Sequence, residues 1–185
     1  MDQQYAVPED WSVSSVLVLA SPAGPARSRL LQSWLDQAKS RGARTWFLHC
    51  SFEDGGPWAG IHDLFAAVLE DLRLSHPDLI VRHDYELAHV VPEVQQWIRV
   101  RNPTLTDLAP PEEKVRNYPA DRAFRIVHGL VDLLDEWKGS SEEPWVVACE
   151  DFDQISSIGN RFFRQLMRRR GRRLRLTLLL GARTA

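Results

Sequence analysis

The chain has 185 residues, 44% of them hydrophobic and 26% charged, with a formal net charge of −2. A chain of this size buries roughly 70% of the surface it exposes when unfolded, so a single domain needs no disulfide staple. The composition excludes wholesale disorder and collagen, no apolar run approaches the roughly 18 residues of a membrane span, and the charge gives no overall pull toward nucleic acid or membrane.

Met1 to Asp10 carry neither a basic n-region nor an apolar h-region, so no secretory leader is read there. Ser15-Val-Leu-Val-Leu-Ala20 is a continuous apolar run and predicts a strand buried on both faces. A loop, Ser21 to Ala26, follows. Leu30, Leu31, Trp34, Leu35 and Ala38 then fall at the spacing of an amphipathic helix over 27–40, which Gly42 ends. Arg44 to Cys50 predicts the second strand, Asp54 to Pro57 a loop, and Trp58 to Leu72 a helix burying Ile61, Leu64, Phe65, Val68, Leu69 and Leu72.

Residues 77–118 read as a helical insertion packed on the core. Short helices are expected near Tyr85–Val90 and Pro92–Val100, and Leu87, Val91, Trp97 and Leu105 are its apolar anchors. A connection containing Pro103, Pro110 and Pro111 leads to a helix over 120–137, entered at Pro119, with Phe124, Val127, Leu130, Val131, Leu134 and Trp137 on one face. Pro144 to Cys149 is the third expected strand, Ile155 to Arg169 a helix, and Leu174 to Leu180 the fourth strand. Short buried strands alternating with helices predict one α/β domain over 1–185, a parallel sheet of about four strands with helices on both faces.

In such sheets chemistry sits at the carboxyl ends of the strands. The first loop, Ser21-Pro-Ala-Gly-Pro-Ala-Arg-Ser28, lies on the Walker A frame G-x-x-x-x-G-K-S/T with Ser21 and Ala26 at the glycine positions, Arg27 at the lysine and Ser28 keeping the hydroxyl. Gly24, Ala26, Arg27 and Ser28 are therefore the candidate phosphate-binding residues, and Ser28 a candidate Mg²⁺ ligand. The same stretch also reads as a plain strand-to-helix turn stiffened by two prolines. The third strand ends in Glu150-Asp151, an acidic pair of Walker B type: the first acid would hold Mg²⁺ and the second polarise the attacking water. Two acids after a strand also serve as a solvated helix entry, with Asp153 the candidate N-cap.

These pieces, in this order, resemble the nucleotide-binding domain of STAND-type, AAA-like ATPases, found in front of LuxR-type regulators, cyclases and tetratricopeptide arrays, mostly in bacteria. Ser21-Pro-Ala-Gly-Pro-Ala-Arg-Ser-Arg-Leu-Leu31 resembles the family's G-P-A-G-I-G-K-S-R-L-L. His49 to Trp58 resembles its loop after the second strand, and Glu86-Leu-Ala-His-Val-Val-Pro-Glu93 its L-A-x-L-x-P-E turn. Trp145 to Asp153 resembles its Walker B stretch, and Leu178-Leu-Leu-Gly-Ala-Arg183 its strand ending in a sensor arginine. The resemblance implies a three-layer P-loop fold with the fourth strand between the first and third, ATP and Mg²⁺ as cofactors, Ser28 and Glu150 flanking the metal, Arg27 facing the phosphates, and Asp151 and Arg183 in catalytic positions. It also implies a protein partner or further C-terminal domains. The family's G-R-x-x-E box before the first strand has no counterpart in Met1 to Ser14.

Three functions follow as expectations: a nucleotide-binding switch with little or no hydrolysis, a pseudo-ATPase acting as a protein-binding scaffold, or a working ATPase. Three of four Walker A positions have changed, which points away from the last. Cys50 and Cys149 read as reduced, buried thiols of a cytoplasmic protein. Trp11 and Trp58 are expected to be exposed, and Trp34, Trp46, Trp137 and Trp145 to pack. The chain has 20 Arg against 3 Lys, and eight of those arginines lie between Arg161 and Arg175. That run reads as a solvated helix end, with an anionic-partner patch the second interpretation, so this domain is not expected to engage nucleic acid.

Overall fold

The computed structural model describes residues 10–101 and 119–183. Strands β1 (Ser15–Ala20), β2 (Arg44–His49), β3 (Trp145–Glu150) and β4 (Leu176–Ala182) form one all-parallel sheet in the order β1-β4-β3-β2. The fourth strand thus lies between the first and third. It starts two residues later than the apolar run suggests, because Leu174 still belongs to the preceding helix and Arg175, at φ 49°, turns the chain out of it.

Helix α1 (Pro25–Ser40) follows β1. Between β2 and β3 come α2 (Phe52–Gly55), a 3-10 turn at Gly56–Trp58, α3 (Ile61–Ser75), α4 (Pro77–Arg82), α5 (Asp84–Val90), a 3-10 segment at Pro92–Gln96 and α6 (Pro119–Lys138). Helix α7 (Ser157–Leu174) joins β3 to β4. Alternation along the strands sends side chains to opposite faces. Leu19, Val146, Ala148 and Leu179 pack with Leu31, Trp34, Leu35 and Ala38 of α1. Val147, Cys149, Leu176 and Leu178 pack with Phe65 and Val68 of α3 and with Phe162, Phe163 and Leu166 of α7. Helices therefore lie on both faces of the sheet, but β1, expected to be buried on both, is an edge strand whose Val16 and Val18 stand exposed. On the second face α6 adds Val127, Leu130, Val131 and Leu134 to the same cluster.

The insertion is part of that core: Leu79, Ile80, Tyr85, Leu87, Val90, Val91 and Val94 are all buried. Helix α4 was not foreseen, since its six residues are too few to show a period. The expected helix over Pro92–Val100 is only a 3-10 segment, and the expected loop at Asp54–Pro57 is half helix and half 3-10 turn. Trp97 is not an anchor but stands 47% exposed, held under the Arg73 guanidinium at 4.9 Å. Leu105, Pro103, Pro110 and Pro111 lie outside the described residues. Trp11, expected to be exposed, is 3% exposed and packs in the α1 cluster; Trp58 is half-buried. Among the described residues no helix is long and apolar enough to cross a membrane.

Candidate functional site

The carboxyl ends of β1 and β3 converge on the first turn of α1. Gly24 precedes that helix with φ 145°, a value that L side chains rarely adopt, so the loop keeps a glycine where its backbone needs one. Pro25 takes the first helical position, where its fixed φ is suitable and its missing N–H is one of the orphan donors anyway. The helix therefore begins two residues earlier than its apolar period suggests. Arg27 falls on the buried stripe of α1 with Leu31, Trp34, Leu35 and Ala38, at i, i+4, i+7, i+8 and i+11.

That placement determines what Arg27 can do. The residue is 3% exposed, and its Nη2 forms an ion pair and hydrogen bond with Asp151 Oδ1. Its Nε and Nη1 are buried without a hydrogen-bond partner among the described residues. The stem lies against Gly181 of β4: a Cβ there would come within 3.4 Å of Arg27 Cδ and Nε and 3.0 Å of Leu31 Cδ1. Gly181 thus makes room for the arginine.

Asp151 meets Arg27 because the chain turns left-handed there, at φ 53° and ψ 38°. Aspartate tolerates this conformation better than most residues, although it still costs about 1–2 kcal/mol. Glu150 reaches α1 for a simpler reason. It shares the β3 face of Val146 and Ala148, which is the face α1 covers. The Ser28 hydroxyl donates to Glu150 Oε1, while His49 Nδ1 of the neighbouring strand lies 3.4 Å from Oε2. Glu150 is 8% exposed.

Arg183 follows the end of β4. Its Nε donates to Asp153 Oδ2 at 2.9 Å and its backbone N–H to Oδ1 at 3.2 Å. Burial pushes the Asp153 carboxyl up, but the bonds from Arg183 outweigh it and hold the group below its usual value. Asp153 is therefore not the N-cap of α7. Ser156 is: its hydroxyl accepts from Gly159 N–H at 2.9 Å and donates to the Pro57 carbonyl at 2.6 Å.

The structure brings Arg27, Ser28, Glu150 and Asp151 into one contiguous set, with His49 beside it, and places Arg183 at the same end of the sheet but paired elsewhere. Gly24, the cap of α1, and Ala26, in its first turn, flank the set. The sequence places His49 at a strand end near the expected site and reads it as structural; Gly181 and the Arg183–Asp153 pair depend on strand order, which no local pattern encodes.

The donor chemistry is divided. A hydroxyl and a carboxylate side by side suit a hard divalent cation such as Mg²⁺, and Ser28 and Glu150 supply them. A phosphate cradle needs backbone N–H groups. Pro22 and Pro25 have none, and the Arg27 N–H donates to the Gly24 carbonyl at 3.1 Å. Among the described residues no group of three or more His, Cys, Asp or Glu is placed to hold a metal ion, so any cation here would lean on the hydroxyl and on its own water. Compared with family models, with curated proteins and with solved structures, the chain matches none.

Proposed function

We propose that the chain is a regulatory module of the P-loop ATPase type, similar to the STAND class, that takes up ATP and Mg²⁺ with little or no hydrolysis. The observation that carries this is the meeting of Ser28 with Glu150 and of Arg27 with Asp151 at the ends of β1 and β3. When bound, Mg²⁺ would supply positive charge that offsets that of the phosphates. Ser28 and Glu150 are the residues that would hold it, and Arg27 would supply counter-charge. Asp151 already accepts from Arg27, so it is poorly placed to take a proton from an attacking water, and catalysis of phosphoryl transfer depends on such placement. Little turnover is expected for that reason. Arg183, turned onto Asp153, would have to exchange partners to approach a γ-phosphate.

A second function has its own observation. Arg27 is buried and engaged, and two of the loop positions are proline. A site closed in this way fits a pseudo-ATPase fold that has lost nucleotide and serves as a protein-binding scaffold.

Calorimetric titration of the full chain with ATP and Mg²⁺ separates the two. Saturable binding that Ser28→Ala weakens and Arg27→Ala with Ser28→Ala abolishes supports the nucleotide module, provided both variants keep a cooperative thermal transition. No heat at millimolar ATP overturns it and leaves the scaffold.

A further inference from the structure

The arginine run of α7 divides into two sets that its sequence does not distinguish. One set is paired with the acids of α6. Arg170 contacts Asp132 and Asp135 at 3.3 and 3.0 Å, Arg173 contacts Asp135 at 2.9 Å, and Arg169 lies 3.6 Å from Asp132 and 2.6 Å from His128 Nδ1. These arginines fasten α7 to α6. The other set, Arg161, Arg164, Arg168 and Arg172, recurs every three or four residues and is exposed along the outward face. Arg161 stacks over Phe124 at 5.0 Å. Among the described residues, Arg164, Arg168 and Arg172 face no carboxylate.

Helix α7 contains no Asp or Glu over its 18 residues and has none in its first turn, where the helix dipole favours an acid. Like charges three or four apart on a helix repel one another. A face that breaks both local rules, with no carboxylate partner among the described residues, is suited to an external anion. The stripe is about 16 Å long, from eleven residues at about 1.5 Å rise. Its first half borders an open groove of about 640 Å³ lined by Arg161, Arg164 and Arg168, by Asn160, Gln165, Ser156 and Ser157, and by one apolar side chain, Ile155. Apart from Ile155 these side chains are cations, amides and hydroxyls. Protein interfaces deplete charge at their centre and place apolar anchors there, whereas nucleic-acid interfaces are polar and strongly positive. Among the described residues the apolar side chains beside this stripe are Ile155 and Phe124, the latter under Arg161, and the stripe itself is all guanidinium.

We infer that this face of α7 binds double-stranded nucleic acid through its phosphates, without reading sequence. Arg161, Arg164, Arg168 and Arg172 supply the positive stripe, and Asn160, Gln165 and Ser157 supply hydrogen bonds to phosphate or sugar. The sequence alone favours a solvated helix end. The difference comes from the pairing of Arg169, Arg170 and Arg173, which removes them from the count and leaves a regular outward row. The inference is independent of whether the site at α1 holds nucleotide.

The test is fluorescence anisotropy of a labelled 24-base-pair DNA duplex of mixed sequence, titrated with the full chain at 50 and 200 mM NaCl. Contacts to four phosphates predict a log–log salt slope near −3.6, hence roughly 100-fold weaker binding at the higher salt. Arg164→Gln, Arg168→Gln and Arg172→Gln together should bring the slope to about −1 and weaken binding at 50 mM by about 10-fold or more. If that triple variant lacks the native thermal transition, Arg168→Gln alone should still make the slope shallower by about 1. Arg99→Gln, an exposed charge elsewhere, should change the slope by less than any stripe residue. The proposal is overturned by no binding at 50 mM NaCl, by a folded triple variant that binds like the native chain, or by an equal effect of Arg99→Gln. Poly-glutamate that displaces the duplex at equal charge concentration also overturns it, and assigns the face to an acidic protein.

Discussion

Arg27 and Asp151 join the first turn of α1 to the end of β3 by an ion pair in which the arginine side chain is 1% exposed and the aspartate 28%. Two further guanidinium nitrogens of Arg27 have no partner, so Asp151 is the only compensation this buried charge has among the described residues. Removing one member of a buried pair leaves an uncompensated charge, which typically costs 3–5 kcal/mol. Because Asp151 is partly solvated, Asp151→Asn should destabilise the chain by about 3 kcal/mol in urea denaturation. If the nucleotide module holds, the variant also frees Arg27, and ATP with Mg²⁺ should recover part of the lost stability. A variant equally unstable with and without ATP would favour the scaffold.

Pro25 is favourable for entering α1 and unfavourable for binding phosphate. Pro25→Ala restores a backbone N–H at the first helical position and relaxes the unfolded chain, with an expected loss of about 0.4–1 kcal/mol. For the nucleotide module the added donor should tighten ATP binding measurably by calorimetry. Arg27→Lys with Ala26→Gly should do the same, since it returns a compact charge and a more permissive backbone in the first turn of α1. Unchanged affinity in both would show that the loop does not work as a phosphate cradle.

The strands were legible because they are short apolar runs, and the helices α1, α3, α6 and α7 because their apolar residues keep a 3.6-residue period. The burial of Arg27 was also legible: it sits on the same stripe as Leu31, Trp34, Leu35 and Ala38, although a helix start placed at Arg27 obscures this. What the sequence did not contain are the long-range pairings. The left-handed turn at Asp151, the pairing of Asp153 with Arg183 and the division of the α7 arginines all depend on which elements become neighbours. Trp11 is a similar case. It stands outside any periodic segment, and only the packing of α1 on the sheet creates its pocket.

Trp11 is 3% exposed beside Leu19, Leu31 and Trp34, and its indole N–H has no hydrogen-bond partner among the described residues. Trp11→Ala should cost about 3–5 kcal/mol, as large-to-small core changes do. Trp11→Phe removes the unsatisfied N–H with less loss of volume, so it should cost much less than the alanine variant. Urea denaturation of the two variants checks the order, and equal losses would mean that the indole edge, rather than ring volume, matters most.

His62 at the start of α3 joins two carboxylates, with Nδ1 3.2 Å from Asp63 and Nε2 3.3 Å from Glu93. Burial pushes the imidazole down, but the bonds and charges of Asp63 and Glu93 outweigh it and raise it above its ordinary value of 6.5. A group raised on folding stabilises fully below its unfolded value, and that contribution fades as pH rises through the folded one. Glu93 is lowered, first by its own backbone N–H and then by His62, so its contribution fades in acid. The link between α3 and the Pro92–Gln96 segment should therefore be strongest from about pH 5 to 6.5 and weaken toward pH 8. Imidazole NMR titration should show His62 above the ordinary value, and Glu93→Gln should lower it. A midpoint unmoved by Glu93→Gln would break the link.

Gly181 of β4 packs directly against Leu31 and the buried arginine of α1. A Cβ would stand 3.0 Å from Leu31 Cδ1 and 3.4 Å from Arg27 Cδ. Alanine asks Leu31 to give by a few tenths of an ångström; valine asks the helix itself to move. Overpacking of this kind costs about 1–3 kcal/mol, so Gly181→Val should destabilise more than Gly181→Ala. Displacing the Arg27 stem also stretches its contact with Asp151, so the two effects should couple. In a double-mutant cycle Gly181→Val and Asp151→Asn should be less than additive, since each weakens the same ion pair. Strict additivity would mean that Gly181 makes room for Leu31 alone and has no part in positioning Arg27.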